Sequence, residues 1–171
     1  MEKKKGQQTK PISPCGQPHP IRYHLDDERR SVNRRFEIHH NTGEVDENRN
    51  PIIVTKKGHF IIGTYTDGTP GELFVFIDKE GSELHGWANA WSVAISMLLQ
   101  FGVDPRKIYK KFKYMEFDPK GLTNVKEAVF CKSLIDLIMK CMEANFPPTA
   151  NKNLSDNDGY FETIKAITEN K

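Results

Sequence analysis

The stretch HFIIGTYTDGTPGELFVFIDKEGSELHGWANAWSVAISMLLQFG, His59–Gly102, changes hydrophobic period partway along its length. Up to Asp78 the apolar residues alternate, as in strands. From Glu83 they recur at three- and four-residue intervals, as in a helix. Asp67-Gly68-Thr69-Pro70-Gly71 supplies residues suited to positive φ and a proline that fixes its neighbour, so His59–Thr66 and Glu72–Asp78 read as a β-hairpin. In the second strand Leu73, Val75 and Ile77 face one way and Phe74 and Phe76 the other. With both faces apolar, this strand is expected to be central and covered on both sides. Lys79-Glu80-Gly81-Ser82 turns the chain, with Ser82 placed to cap a helix over about 83–101. Leu84, Trp87, Ala88, Trp91, Ala94, Ile95 and Leu98 would form its buried stripe, and Gly102 would stop it.

Outward from this unit the signals remain local. Arg35–His39 alternates like an edge strand, and Ile52–Thr55 is a further short strand signal. Asn41–Pro51 (NTGEVDENRNP) is turn-rich and reads as a loop. Asp104-Pro105 opens a short helix, with Ile108 and Phe112 inward and Lys107, Lys110, Lys111 and Lys113 on a basic outer face. A third main helix is expected to begin after Asn124, with Glu127 in capping-box position, and to run to about Asn145 before Pro147-Pro148. The fold class that follows is α+β: a two-layer arrangement in which an antiparallel sheet is covered by two main helices. Its expected core is Ile62, Leu73, Val75, Ile77, Leu84, Trp91, Ile95, Leu98, Phe112, Leu134 and Ile138. Residues 1–20, with four prolines and a KKK run, read as a disordered basic arm. Residues 21–146 read as the domain, and 147–171 as a polar tail holding a short amphipathic helix around Tyr160, Phe161, Ile164 and Ile167.

Composition narrows function mainly by exclusion. The chain has 171 residues, 37% of them hydrophobic, and a formal charge of +2, which neither selects nor excludes nucleic acid. No apolar run has the length of a membrane span and no secretory h-region opens the chain, so a cytoplasmic protein is expected. Cys15, Cys131 and Cys141 form no CxxC and no disulfide framework. The last two are expected on a helix as small buried hydrophobes. His39-His40 would point to opposite faces of a strand, and His24, His59 and His85 have no ligand-like spacing, so no metal site is expected. There is no nucleophile elbow and no P-loop. The one chemical feature is generic: free amides at the helix start formed by Gly81 and Ser82, with Lys79 and His85 beside them, suit a phosphate or carboxylate. Arg29 and Arg34 are candidate partners for the same anion.

These residues, taken in order, resemble a known domain. RYHLDDERRSVNRRFEI, GHFIIGTYTDGTPGELFVFIDKEGSELHGW and AISMLLQFGVDPRKIYKKFKYMEFDPKGLTN are similar to the TSCPD-type domain near the C-terminal end of adenosylcobalamin-dependent (class II) ribonucleotide reductases. The matches include Asp67-Gly68, Pro70-Gly71-Glu72, Lys79-Glu80-Gly81-Ser82, Ser96, Leu99-Gln100, Gly102-Val103 and Lys111-Phe112. AVFCKSLIDLIMKCM is similar to the family's next helix. Asp26 departs from the family's usual proline, and Asn41–Pro51 looks like an insertion. The resemblance implies a role in deoxyribonucleotide synthesis without the chemistry. The family's cofactor and thiyl cysteine belong to a catalytic barrel that these 171 residues do not contain, so no cofactor and no catalytic residue are expected. Two functions stay open: a stand-alone accessory or regulatory module that binds a ribonucleotide reductase or another copy of itself, and an independent module that binds a nucleotide or nucleic acid.

Overall fold

A computed structural model of the protein describes residues 21–147. The expectations for an N-terminal arm over 1–20 and for a helix in the C-terminal tail lie outside the described residues. The elements are β1 (Ser31–Val45), β2 (Pro51–Thr64), β3 (Pro70–Ile77), α1 (Glu83–Gln100), α2 (Pro105–Phe112), β4 (Gly121–Thr123), a 3-10 turn (Lys126–Ala128), β5 (Phe130–Cys131) and α3 (Leu134–Asn145). The strands form one antiparallel sheet in the order β3-β2-β1-β4-β5. The expected α+β fold is the observed one.

Alternation decides which side of the sheet is buried. Phe36 and Ile38 of β1, Phe60 and Ile62 of β2, Leu73, Val75 and Ile77 of β3 and Cys131 of β5 all lie in the core. Ile62 stands opposite both Val32 and Leu73, so the apolar rows of neighbouring strands coincide. Ala88, Ile95 and Leu99 of α1, Ile108 and Tyr109 of α2, and Leu134, Leu137, Ile138, Met139, Cys141 and Met142 of α3 close the core from the helical side. Trp91 meets Phe112 edge-on at 6.2 Å, tying α1 to α2.

The punctuation read around α1 and α2 holds in detail. Ser82 Oγ accepts the His85 amide at 3.3 Å, and Asp104 Oδ1 accepts the Arg106 amide at 2.9 Å. Gly102 adopts φ 76°. The Gly102 N–H donates to Leu99 O and the Val103 N–H to Leu98 O, the paired bonds of a Schellman stop.

Several expectations are corrected, among them the edge-strand reading of Arg35–His39, which lies in β1 at the middle of the sheet. β3 is an edge strand, not a central one, and its Phe74 and Phe76 are exposed. Trp87, Ala94 and Leu98 face solvent, because the inward face of α1 is rotated toward Ala88, Ser92, Ile95 and Leu99. Asn41–Pro51 is not a loop throughout: β1 continues to Val45 and β2 starts at Pro51, leaving a turn organised by the Asp46 carboxylate, which accepts the Asn48 and Asn50 amides at 2.8 Å. Ile52–Thr55 and His59–Thr66 are not separate strands but one, β2, which ends at Thr64. The third helix begins at Leu134, with Ser133 as its cap, rather than after Asn124. Residues 121–131 instead form β4, the 3-10 turn and β5, so Cys131 sits on a strand, equally buried.

The edge position of β3 explains why α1 looks misaligned. The Leu73 N–H donates to Ser96 Oγ at 2.8 Å, and that hydroxyl lies 3.1 Å from Leu73 O. Gln100 Nε2 donates to Gly71 O at 3.2 Å, and His85 Nδ1 lies 3.3 Å from Ile77 O. The helix therefore runs antiparallel along the free side of β3, and its polar side chains satisfy an edge that would otherwise offer unpaired peptide groups to other strands.

Candidate functional site

The helix-start turn is built as expected, but the candidate anion ligands do not converge on it. Gly81 takes φ 83°, and the Ser82 N–H donates to Lys79 O at 3.0 Å, which closes the turn. Ser82 Oγ is occupied by its own helix, and the Nδ1 of His85 is engaged by the Ile77 carbonyl. Arg29 is ion-paired with Glu72, and its guanidinium also donates to Asp26 O at 3.1 Å. The hydrogen bond that Arg29 donates to the Glu72 carboxylate holds the Arg29 pKa above its ordinary value. Arg34 shares both ends of its guanidinium with Glu127, at 3.2 and 3.3 Å, where the two side chains are 30% and 12% exposed. Both arginines thus neutralise internal carboxylates: Arg29 pins residues 21–30 to β3, and Arg34 pins β1 to the 3-10 turn.

The groups that could carry chemistry are similarly committed. His39 Nδ1 lies 3.0 Å from Thr55 Oγ1, while His40 Nδ1 lies 3.2 Å from Lys120 O. Among the described residues no group of three or more His, Cys, Asp or Glu is arranged to hold a metal ion. Burial pushes the Cys131 thiol up, and the same cause pushes Cys141 up to about 12. Thiols so desolvated are poor nucleophiles and poor redox partners. On α2, Lys107, Lys110 and Lys111 are exposed, whereas Lys113 binds Glu143 at 2.5 Å.

What remains available is the sheet face turned away from the core. Across three strands Arg35 stands opposite His59 and His59 opposite Phe76; one step along, Asn33, Ile61 and Phe74 form a second row. The His59 and Phe76 rings stack with centroids 4.6 Å apart and an interplanar angle of 15°. Farther across, Leu122 and Phe130 are paired and exposed beside His39. Between the two apolar groups, Glu37 and Lys57 form an ion pair at 3.3 Å. Phe74 and Phe76 are 41% and 40% exposed, an unusual placement for two aromatic rings on one strand. The alternation of ELFVFID carried the signal for this face; what was missed is that nothing among the described residues lies on it.

The described residues form a small α+β domain whose candidate site residues are mostly engaged by partners within the fold. The chain belongs to the TSCPD domain family, whose sequence model matches residues 33–146. It is similar to the vitamin B12-dependent ribonucleotide reductase of Rhodopirellula baltica, at 32% identity over 127 residues, covering 74% of this chain and 11% of that protein. It is likewise similar to the enzyme of the same name from Streptantibioticus cattleyicolor, at 35% over 92 residues (54% of this chain, 15% of that protein), and from Bradyrhizobium diazoefficiens, at 28% over 96 residues (56% and 8%). The chain therefore spans only 8% to 15% of the length of these curated relatives. No solved structure matches it. No helix among the described residues is long and apolar enough to cross a membrane.

Proposed function

We propose that this chain serves deoxyribonucleotide synthesis as an accessory or regulatory module, binding the catalytic part of a vitamin B12-dependent ribonucleotide reductase without doing chemistry itself. The observation that carries the reading is the TSCPD match over residues 33–146 together with relatives that bear that enzyme's name. The family's cofactor does not fit these residues. Cys131 and Cys141 are fully buried with raised thiol pKa values, so neither offers an accessible sulfur to a radical-generating group. The outer sheet face, with Phe74 and Phe76 on its β3 edge, is the surface we assign to the reductase, since exposed aromatic anchors are what protein partners bury. The test mixes the chain with a vitamin B12-dependent reductase from which the matching segment has been deleted. Co-elution and a change in the rate of deoxyribonucleotide formation support the reading; absence of both rejects it.

A second reading is favoured by one arrangement. The stacked His59–Phe76 pair lies beside Arg35, which has no ion-pair partner among the described residues. A ring platform flanked by a guanidinium suits a nucleotide or single-stranded nucleic acid. Binding of that kind weakens steeply with salt, so titration with nucleotides and short oligonucleotides at low ionic strength decides it.

A further inference from the structure

Helix α1 is apolar on the side where a surface helix is normally charged. Its inward side lies on β3. On the outward side Trp87 is 70% exposed, Val93 52%, Met97 42% and Leu98 36%. From Leu84 to Val103 the sequence contains no Asp, Glu, Lys or Arg. An exposed helix face made of large apolar side chains is one that meets a partner, and among the described residues only the inward side of α1 is covered.

We infer that the outward face of α1 is the contact surface of a two-fold homodimer, with the two helices crossing antiparallel at the level of Ser92. The sequence is self-complementary about that point. Residues equidistant from it are Gly86 and Leu98, Trp87 and Met97, Ala90 and Ala94, all outward-facing. In an antiparallel pair each therefore meets its counterpart on the partner. At one end the bulky Leu98 meets the bare Gly86, and the flexible Met97 packs on the Trp87 ring. Ala90 and Ala94 sit at the crossing, where small side chains let two helices approach to about 8 Å. A two-fold contact brings a patch onto itself, so any charge on it would face its own copy. This patch has none, and antiparallel packing also opposes the two helix dipoles. The area is sufficient. Trp87 alone offers on the order of 150 Å². With Val93, Met97, Leu98 and the small residues between them, two copies bury about 1,000–1,200 Å², at the lower end of stable interfaces.

Sedimentation velocity on the full chain should give twice the 19.6 kDa chain mass. Trp87→Glu and Met97→Lys should each weaken association by roughly 100-fold or more, leaving monomers at about 10 µM. Both positions are solvent-exposed in the monomer, so unchanged circular dichroism is expected for each. Mixing the two variants should restore a dimer, because the antiparallel register sets the new carboxylate of one copy against the new ammonium of the other. The inference is overturned by a wild-type monomer at about 100 µM, by a dimer indifferent to both substitutions, or by a mixture that stays monomeric. A monomer that loses reductase binding with Trp87→Glu would hand this face to the reductase and equally overturn it.

Discussion

Asp136 gives the sharpest test of how the helical layer is held. It is completely buried in the first turn of α3. Its Oδ1 accepts the Tyr114 N–H at 2.7 Å, and its Oδ2 accepts the Lys132 N–H at 2.9 Å and Lys140 Nζ at 2.7 Å. Lys140 also donates to Phe130 O at 3.1 Å, and its ammonium lies 5.4 Å from the centre of the Tyr114 ring. One carboxylate thus joins the segment after α2, the approach to α3 and the helix itself. Asp136→Ala strands two backbone donors and one ammonium. A buried donor without a partner costs about 1–3 kcal/mol, and breaking a buried ion pair from one side about 3–5 kcal/mol. Lys140, 20% exposed, recovers part of its hydration. The expected loss is therefore about 3–5 kcal/mol, a large share of the roughly 5–15 kcal/mol that stabilises a domain. Lys140→Met removes the cation but leaves the carboxylate its two backbone N–H bonds and the positive end of the α3 dipole, so it should cost less than half as much. Urea unfolding followed by far-UV circular dichroism measures both. An Asp136→Ala loss under about 1 kcal/mol, or a Lys140→Met loss equal to it, would refute the assignment of the stabilisation to the backbone donors.

Three further outcomes follow from the same contacts. Ser96→Ala leaves the Leu73 N–H without its acceptor on the sheet edge, so stability should fall by about 1–2 kcal/mol, and turbidity on warming should show increased aggregation. Cys141 ionises in the unfolded chain but not in the folded one, where its pKa is about 12 against an ordinary 9.0. Folding stability should therefore decline as pH rises above about 9, by roughly 1 kcal/mol per unit. Urea melts from pH 8 to 10 should show a shallower slope in Cys141→Ala, and equal slopes would count against the burial of the thiol. Phe76→Ser should cost no more than about 1–2 kcal/mol, because the ring is 40% exposed and stacks on the exposed His59, while reducing capture of the reductase at least tenfold in a pull-down titration.

What could be read from the sequence was whatever is settled by near neighbours. The hairpin loop, the Ser82 and Asp104 caps and the Gly102 stop depend on residues within a few positions, and all are in place. The misreadings share one cause, a partner far along the chain. Arg29 and Arg34 resemble anion ligands until Glu72 and Glu127, 43 and 93 residues away, are seen to hold them. Glu127 fits a capping box after Asn124, yet Arg34 holds its carboxylate and the Asn124 side chain accepts the Glu37 N–H at 2.8 Å. Ser92, Ser96 and Gln100 look like a solvent face because hydroxyls and amides are polar. They point inward because α1 lies against a strand edge, and a strand's place in its sheet cannot be deduced from its own pattern. Hence the apolar stripe of α1 was drawn too far round, with Leu84, Ala88, Trp91 and Ile95 meeting the core but Trp87, Ala94 and Leu98 facing out, and the two faces of β3 were both taken as covered.

Those two errors concern the same pair of elements, and together they describe how the domain meets its surroundings. Evolution of an edge strand toward solubility usually adds charge; here the edge is sealed by a helix whose polar residues are spent on β3. The apolar residues left on the far side of α1 then need a partner of their own. If that partner is a second copy, the outer sheet faces carrying Phe74 and Phe76 stay free in both protomers, since α1 packs along the edge and core side of β3 rather than on the outer face. A dimer would offer the reductase two such faces. Against an oligomeric enzyme, the second contact forms at the effective concentration set by the first, so binding would tighten by far more than a factor of two. Trp87→Glu would then weaken capture by an immobilised reductase without touching the aromatic face, whereas Phe76→Ser would abolish capture and leave the dimer intact. Opposite effects of the two substitutions on mass and on capture are what separates a bivalent module from one that uses a single surface for both purposes.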